Sequence, residues 1–287
     1  MINLQNQHCL ITGASRGLGA RLATTFWDAG ASLTLVGRSV DGLNNVASSL
    51  PARCNQQVIV RPFDLADPSV PLQLIADMRS TLDTIDVLVN NAAIQGPIGT
   101  AWENDWTAWQ TALQINLVAP IALCNLCVPW MAQRSHGKII NLSGGGATSP
   151  RPRFSAYAVA KAGLVRFSET LAEETRDLGI SVNCIAPGAM DTTMLQTVLQ
   201  AGPEAVGHRE YEQARHARQQ GGEGIERAVS LALFLASTAS DGITGKLISA
   251  VWDPWASLPE HLDDLRSTDV YTLRRIVPKD RGLEWGE

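Results

Sequence analysis

The segment HCLITGASRGLGARLATTFWDAG, residues 8–30, restricts the fold more than any other stretch of this 287-residue chain. An apolar run rises into Gly13, two more glycines follow at Gly17 and Gly19, and apolar residues then recur at helical spacing until Gly30. That order places a glycine-rich turn between a strand and a helix. Glycines there permit a tight turn and let backbone N–H groups at the helix N-terminus approach phosphate oxygens with no Cβ in the way. The spacing is G-x-x-x-G-x-G, and its position between the two elements gives it meaning that a bare glycine triplet lacks.

The rest of the chain repeats the alternation. Short β-branched-rich runs at 8–12, 32–36, 57–61, 86–90, 137–142, 180–185 and 246–250 read as strands, and helical stretches separate most of them. Such a series needs right-handed crossovers and a parallel sheet. The expected fold is α/β: a Rossmann-like, doubly wound parallel sheet of about seven strands with helices on both faces. Ligands bind such sheets at the switch point beside the first strand. A chain that is 45% apolar can bury one large core, so residues 1–251 are expected to form a single dinucleotide-binding and catalytic domain.

Several function classes are disfavoured. A net charge of −5 argues against nucleic acid or an anionic membrane as partner. MINLQNQHCLITG lacks the pattern of a signal peptide, and no uninterrupted apolar run approaches the roughly 18 residues of a spanning helix. A cytoplasmic protein is expected. Five cysteines, an odd number, suit a reducing compartment better than a disulfide framework. Cys124 and Cys127 form a C-x-x-C inside the apolar NLVAPIALCNLCVPW, with no second ligand pair nearby, and read as buried thiols. No metal site is expected.

The chemistry-bearing pair is Tyr157 and Lys161 in YAVAK. Four residues is about one helical turn, so both side chains leave the same helix face. An unperturbed tyrosine titrates near about 10, and a nearby cation lowers that value toward the range useful for general acid/base work.

Thr12-Gly13-x-x-x-Gly17-x-Gly19, Asp64-Leu65, Asn90-Asn91-Ala92, Asn116, Tyr157-x-x-x-Lys161 and Pro187-Gly188, in this order, resemble the signature of the short-chain dehydrogenases/reductases over about residues 6–250. The resemblance implies a seven-stranded parallel sheet, a nicotinamide cofactor and exchange between a secondary alcohol and a ketone. It implies that Gly13, Ser15, Arg16, Gly17, Leu18 and Gly19 cradle the cofactor, with Ala92, Pro187 and Gly188 also beside it. Asp64 would meet the adenine amino group while Leu65 packs nearby, and Asn90 would lie under the ribose. Tyr157 would exchange the proton, Lys161 would lower its pKa and hold the nicotinamide ribose, and Asn116 would anchor a water relaying protons to Lys161.

One position departs from this pattern. The family's serine stands thirteen residues before the tyrosine, and here that residue is Gly144. Three arrangements are open. The Gly144-Gly145-Gly146 run lets the strand bulge so that Ser143 reaches the site, which is the expectation favoured here. Alternatively Thr148, Ser149 or a backbone N–H serves, or nothing does and catalysis is weak. The second strand ends in Gly37-Arg38 and has no acidic residue there, so Arg38, helped by Arg16, is expected to pair with a 2′-phosphate: NADP is expected over NAD.

Residues 188–224 are too long and too helical for a plain connection, and are expected to form a substrate lid ending at the glycine pair Gly221-Gly222. Met190 and Met194 would supply an apolar wall, and Thr192 would reach the carboxamide side of the cofactor. Arg151, Arg153, His208 and Arg209 are more readily solvated charges than an anion site. The C-terminal extension, 252–287, carries Trp252, Trp255, Trp285 and Tyr271, a composition unlike disorder, and is expected to pack across the active-site mouth or on a neighbouring subunit. A homodimer or homotetramer is expected through the helices bearing Tyr157 and Asn116. Two readings remain: the NADP-dependent oxidoreductase, and a cofactor-binding protein of low activity with a sensing or assembly role.

Overall fold

A computed structural model describes residues 2–219 and 223–285. Seven parallel strands form one sheet in the order 3-2-1-4-5-6-7: β1 (His8–Thr12), β2 (Ser32–Gly37), β3 (Val58–Pro62), β4 (Val87–Asn90), β5 (Gly137–Leu142), β6 (Ile180–Ala186) and β7 (Leu247–Ser249). The order reverses beside β1, so the connections leaving β1 and β4 run in opposite directions and open a crevice at the carboxyl ends of these paired strands. β1, β4 and β5 are buried at every residue, as strands covered on both faces must be.

Alternation along the strands feeds two cores. Cys9 and Ile11 face α1 (Gly17–Asp28) and α9 (Glu223–Ala236), where Leu22, Phe26, Leu231 and Leu235 meet them. Leu10 and Leu88 face the opposite layer with Leu74 and Met78 of α3 (Val70–Arg79), Leu123 and Met131 of α5 (Ala119–Ala132), and Leu171 of α6 (Ser155–Glu174). α2 (Val40–Ser49) follows β2 and is capped by the Ser39 hydroxyl, which accepts from the Gly42 N–H at 3.1 Å.

α4 (Trp106–Leu113) runs through a π turn, Gln114–Val118, into α5 without a break. The combined run, Trp106–Ala132, is 27 residues and contains an 18-residue window with a mean hydropathy of 1.7, enough by length and composition alone to cross a membrane. In the fold it lies in the layer against α3, α6 and β5. Cys124 and Cys127 are both buried, Cys124 beside Asn90 and Asn141, and burial pushes both thiols up, Cys127 to about 12. No cluster of three or more His, Cys, Asp or Glu groups placed to hold a metal occurs among the described residues.

Beyond β6, α7 (Thr193–Val206) bends at Gly202-Pro203, and α8 (His208–Gln219) folds back against it. Gly221-Gly222, expected to hinge this hairpin, lie outside the described residues. The C-terminal segment leaves β7, packs Trp255 against Phe234 with the rings tilted by 42°, and buries Leu258 and Leu265, the latter on α10 (Leu262–Ser267). It then lines the sheet edge, where the Leu247 N–H donates to the Tyr271 carbonyl at 2.8 Å. Glu169 of α6 accepts from the Leu273 N–H at 2.6 Å, and Arg166 donates to the Leu273 carbonyl. This segment therefore covers β7 and the far half of α6 rather than the crevice, with Leu273 packed against the cluster of Ala147, Val165 and Cys184. Trp252 and Trp285 remain exposed.

Candidate active site

The glycine turn is held from below by two residues. The Thr12 hydroxyl accepts from the N–H groups of Asn91 and Ala92, both at 3.0 Å. The Asn91 amide donates to the carbonyls of Thr12 (2.9 Å) and Gly13 (3.2 Å). A Cβ on Gly13 would lie 2.8 Å from Ala92 Cα, and one on Gly19 would collide with the Gly13 carbonyl, so β4 and α1 close on the turn only because both are glycine. Thr12 and Asn91 escaped the sequence reading as functional residues. The signals available were a hydroxyl at the strand end and the doubled asparagine.

At the N-terminus of α1 no side chain caps the helix and the first turn has no acidic residue, so its N–H groups are left for an anion. A Cβ on Gly17 would enter open space, with the nearest atom Thr192 Cγ2 at 3.9 Å; Thr192, just before α7, thus faces the turn across the crevice. Leu18 is buried behind the turn. Ser15 packs between Gly37 and Gly42, its hydroxyl oxygen 3.6 Å from where a Gly37 Cβ would stand. Arg16 and Arg38 are exposed, and among the described residues neither guanidinium has a side-chain bond or ion pair. Unused N–H groups beside two unspent cations suit a pyrophosphate carrying an additional 2′-phosphate.

Asp64 is exposed, with one oxygen accepting from the Ala66 N–H at 3.0 Å, and Leu65 is buried with its carbonyl accepting from Gln114 at 3.3 Å. Asn90 does not turn toward the crevice. Its amide nitrogen donates to Asn141 Oδ1 at 2.8 Å, inside a buried polar group with Ser168 and Cys184, because the last residue of β4 points into the α5 layer. Pro187 and Gly188 follow β6; Gly188 has φ +83° and packs on Val251. Asn116 sits in the π turn, where Oδ1 accepts from the Ile94 N–H (2.9 Å) and Nδ2 donates to the Ile94 carbonyl (2.8 Å).

Tyr157 and Lys161 lie on the inner face of α6, both buried. Lys161 Nζ donates to the Leu142 carbonyl at 2.7 Å and stands 5.6 Å from the centre of the Tyr157 ring. Burial pulls the Lys161 ammonium down to about 8. Burial also raises the Tyr157 phenol above its ordinary value, and the opposing cation is Arg151, not Lys161. Desolvation of the phenol outweighs the charge–charge effect that the helical spacing suggested.

The expected bulge is not formed. The Ser143 N–H donates to the Ile185 carbonyl at 2.8 Å, continuing the β5–β6 ladder, and the Ser143 hydroxyl is buried without a partner. Gly144 is instead the residue against the phenol: a Cβ there would overlap Tyr157 Oη and stand 3.2 Å from Cε1 and Cζ. Thr148 and Ser149 are exposed and make no bond to Tyr157.

Over the phenol the lid hairpin packs Val198, Val206 and Ala214, with Met194, Leu195, Leu199 and Tyr211, against Phe154, Tyr157 and Ile98. Met190 instead joins the core beside α1 and α9. Arg151 pairs with Glu210 of α8, Arg153 donates to the Ala205 carbonyl at 3.2 Å, His208 stands 3.9 Å from Glu204, and Arg209 is exposed. Of these cations, read from the sequence as more readily solvated, Arg151 and Arg153 are instead held by the lid.

The short chain dehydrogenase family model matches residues 7–202. Nodulation protein G of Rhizobium sp. (strain N33) is 31% identical over 248 residues, covering 86% of this chain and 96% of that protein. The 3-oxoacyl-(acyl-carrier-protein) reductase FabG of Chlamydia trachomatis is 30% identical over 246 residues, with the same coverage of 86% and 96%. Among solved structures, a putative NAD(P)-dependent gluconate 5-dehydrogenase from Beutenbergia cavernae with bound NADP superposes with a TM-score of 0.75 at 27% identity, covering 86% of this chain and 96% of that one.

Proposed function

This chain belongs to the short-chain dehydrogenase/reductase family of oxidoreductases, and from that premise we propose that it interconverts a secondary alcohol and a ketone using NADP(H), with Tyr157 as the acid/base. The observation that carries the proposal is the buried Tyr157–Lys161 pair at the carboxyl end of β5, across the crevice from an uncapped α1. The bound cofactor supplies or accepts the hydride.

The chain's own residues do the rest. Gly13, Gly17, Gly19 and the first N–H groups of α1 bind pyrophosphate, held in shape by Thr12 and Asn91. Arg38 and Arg16 take the 2′-phosphate, a choice supported by NADP in the Beutenbergia cavernae relative. In ketone reduction the Tyr157 phenol gives its proton to the carbonyl oxygen, and in alcohol oxidation the phenolate takes it back. Lys161, fixed on the Leu142 carbonyl, sits one helical turn away to share that proton. The lid covers the phenol with apolar side chains, and its Glu210 holds the nearby Arg151, which favours an uncharged, largely apolar ketone. Exposed Val118 and Val159, on the helical runs that carry Asn116 and Tyr157, support a homodimer or homotetramer. Five unpaired cysteines support a reducing, cytoplasmic setting.

Glycine at the position of the family's serine favours a second reading, a cofactor-binding protein of low activity. Tryptophan-fluorescence titration with NADPH and NADH, followed by a panel of uncharged ketones, separates the two. Preferential NADPH binding with ketone-dependent oxidation is expected. Tight binding without turnover across the panel would transfer the assignment to sensing or assembly, and preference for NADH would refute the role of Arg38.

A further inference from the structure

Gly144 supplies no side-chain hydroxyl, and Lys161 is committed to a main-chain carbonyl. The second cation beside the ring, at a similar distance to Lys161, is Arg151. Its guanidinium lies 4.0 Å over the Phe154 ring and 5.4 Å from the centre of the Tyr157 ring. Its stem lies along the glycine run after β5, with Cδ 3.7 Å from where a Gly145 Cβ would be. Its Nε donates to Glu210 Oε1 at 3.1 Å, and a second nitrogen bonds the same oxygen. The pair is largely enclosed, with side-chain exposures of 17% and 26%, so solvent screens it less than a surface ion pair.

We propose that Arg151 is the cation that tunes Tyr157 in this chain, and that Glu210 on the lid sets how much of that positive charge the phenol feels. The proposal rests on the acid/base role given to Tyr157 above and makes Arg151 and Glu210 positioning residues acting through it. With the lid closed, the Glu210 carboxylate offsets the guanidinium. With the lid lifted, α8 carries Glu210 away and leaves Arg151 uncompensated beside the phenol. Arg153, bonded to the Ala205 carbonyl, tethers the same approach segment to the end of α7, so the lid hairpin and residues 151–154 are joined at two points. Lid position and proton exchange are thereby coupled through one ion pair.

The other groups facing Tyr157 do not offer this device. Lys161 is on its own helix and does not move with the lid. α7 presents Met194, Leu195, Val198 and Leu199, all apolar. α8 presents Tyr211 and Ala214 in addition to Glu210. Glu210 is the one carboxylate in this set, and it lies 59 residues from its partner, so no local spacing announced it.

The test uses opposite signs. Arg151→Met removes the cation and is expected to raise the apparent pKa of Tyr157 by about 1 unit, whereas Glu210→Gln frees the cation and lowers it by about 1 unit. Arg151→Lys keeps the charge and restores most of the wild-type value. Two readouts apply. One is the high-pH limb of kcat for ketone reduction with NADPH. The other is the ζ-carbon shift of Tyr157 in protein labelled with 13C-tyrosine, since the chain has only three tyrosines and Tyr157→Phe assigns the signal. Shifts of opposite sign support the proposal. Equal or absent shifts, with KM raised in both variants, would overturn it and leave the pair as a mechanical latch. Absence of any turnover would count against the oxidoreductase reading alone, because the carbon shift still decides the tuning. Should Arg151→Met fail to fold, the Glu210→Gln and Arg151→Lys shifts decide.

Discussion

Gly144→Ala and Gly144→Ser, made side by side, measure what the missing hydroxyl is worth against what the tight approach costs. A Cβ at this position overlaps Tyr157 Oη and stands 3.2 Å from two ring carbons. The phenol oxygen must retreat by roughly 1 Å to reach an ordinary contact. It cannot do so freely, because Phe154, Val198, Val206 and Ala214 close the other sides of the ring. Overpacking of this kind costs about 1–3 kcal/mol in stability, and a displacement of about 1 Å at the reacting atom costs about 10²-fold in rate. Gly144→Ala is therefore expected to lose about 10²-fold in kcat while NADPH affinity stays near that of the wild type. Gly144→Ser pays the same steric penalty but adds a donor to the substrate oxygen, worth about 10²–10³-fold. It should recover most of what alanine loses and finish within about tenfold of the wild type. Initial rates with NADPH and the best ketone, with thermal midpoints as the control for folding, give both numbers. Alanine at the wild-type rate would refute the placement of the phenol against Gly144, and serine exceeding the wild type by 10²-fold would show that the ring yields without cost.

Tyr157→Phe removes the exchangeable proton with almost no change of shape, so turnover should fall by about 10²–10⁴-fold while fluorescence-detected NADPH binding stays within about twofold; retained turnover would end its assignment as acid/base. Arg38→Ala should weaken NADPH by about 10–100-fold, the worth of a hydrogen bond to a charged group, and leave NADH unchanged; equal losses for both cofactors would remove the 2′-phosphate from its role. Lys161 titrates near 8 when folded against 10.5 when unfolded. Between those values the unfolded chain binds more protons, so this group's contribution to stability rises with pH through that window, and below 8 the full cost of burying the charge is felt. Lys161→Met lacks that dependence. Its stability relative to the wild type in cofactor-free protein should fall by about 3 kcal/mol between pH 7 and 10.5, and a constant difference in thermal midpoints would contradict the burial of a charged Lys161.

What the sequence disclosed was what local spacing encodes. The strand–glycine–helix order, the seven short apolar runs and the one-turn separation of Tyr157 and Lys161 each follow from periodicities of two or 3.6, and the fold returned them with end shifts of about one residue. The errors arose where neighbours in sequence part company in space. Asn90 and Asn91 are adjacent, yet the first points down to Asn141 and the second up to the glycine turn, and only the register of β4 between β1 and β5 decides which does which. Ser143 and Gly144 divide in the same way: the ladder to β6 keeps Ser143 in line and leaves a glycine under the phenol. Position thirteen before the tyrosine was countable, but the depth at which α6 seats Tyr157 was not, and that depth leaves no room for a side chain at Gly144. The lid supplied the remaining surprise, because Arg151 read as a solvated charge until α8 folded Glu210 onto it. A chain with glycine under its acid/base therefore has two ways to stabilise charge at that oxygen, the backbone of the glycine run and the Arg151 cation that Glu210 of the lid offsets. Of these, only the second is governed by whether the lid is closed.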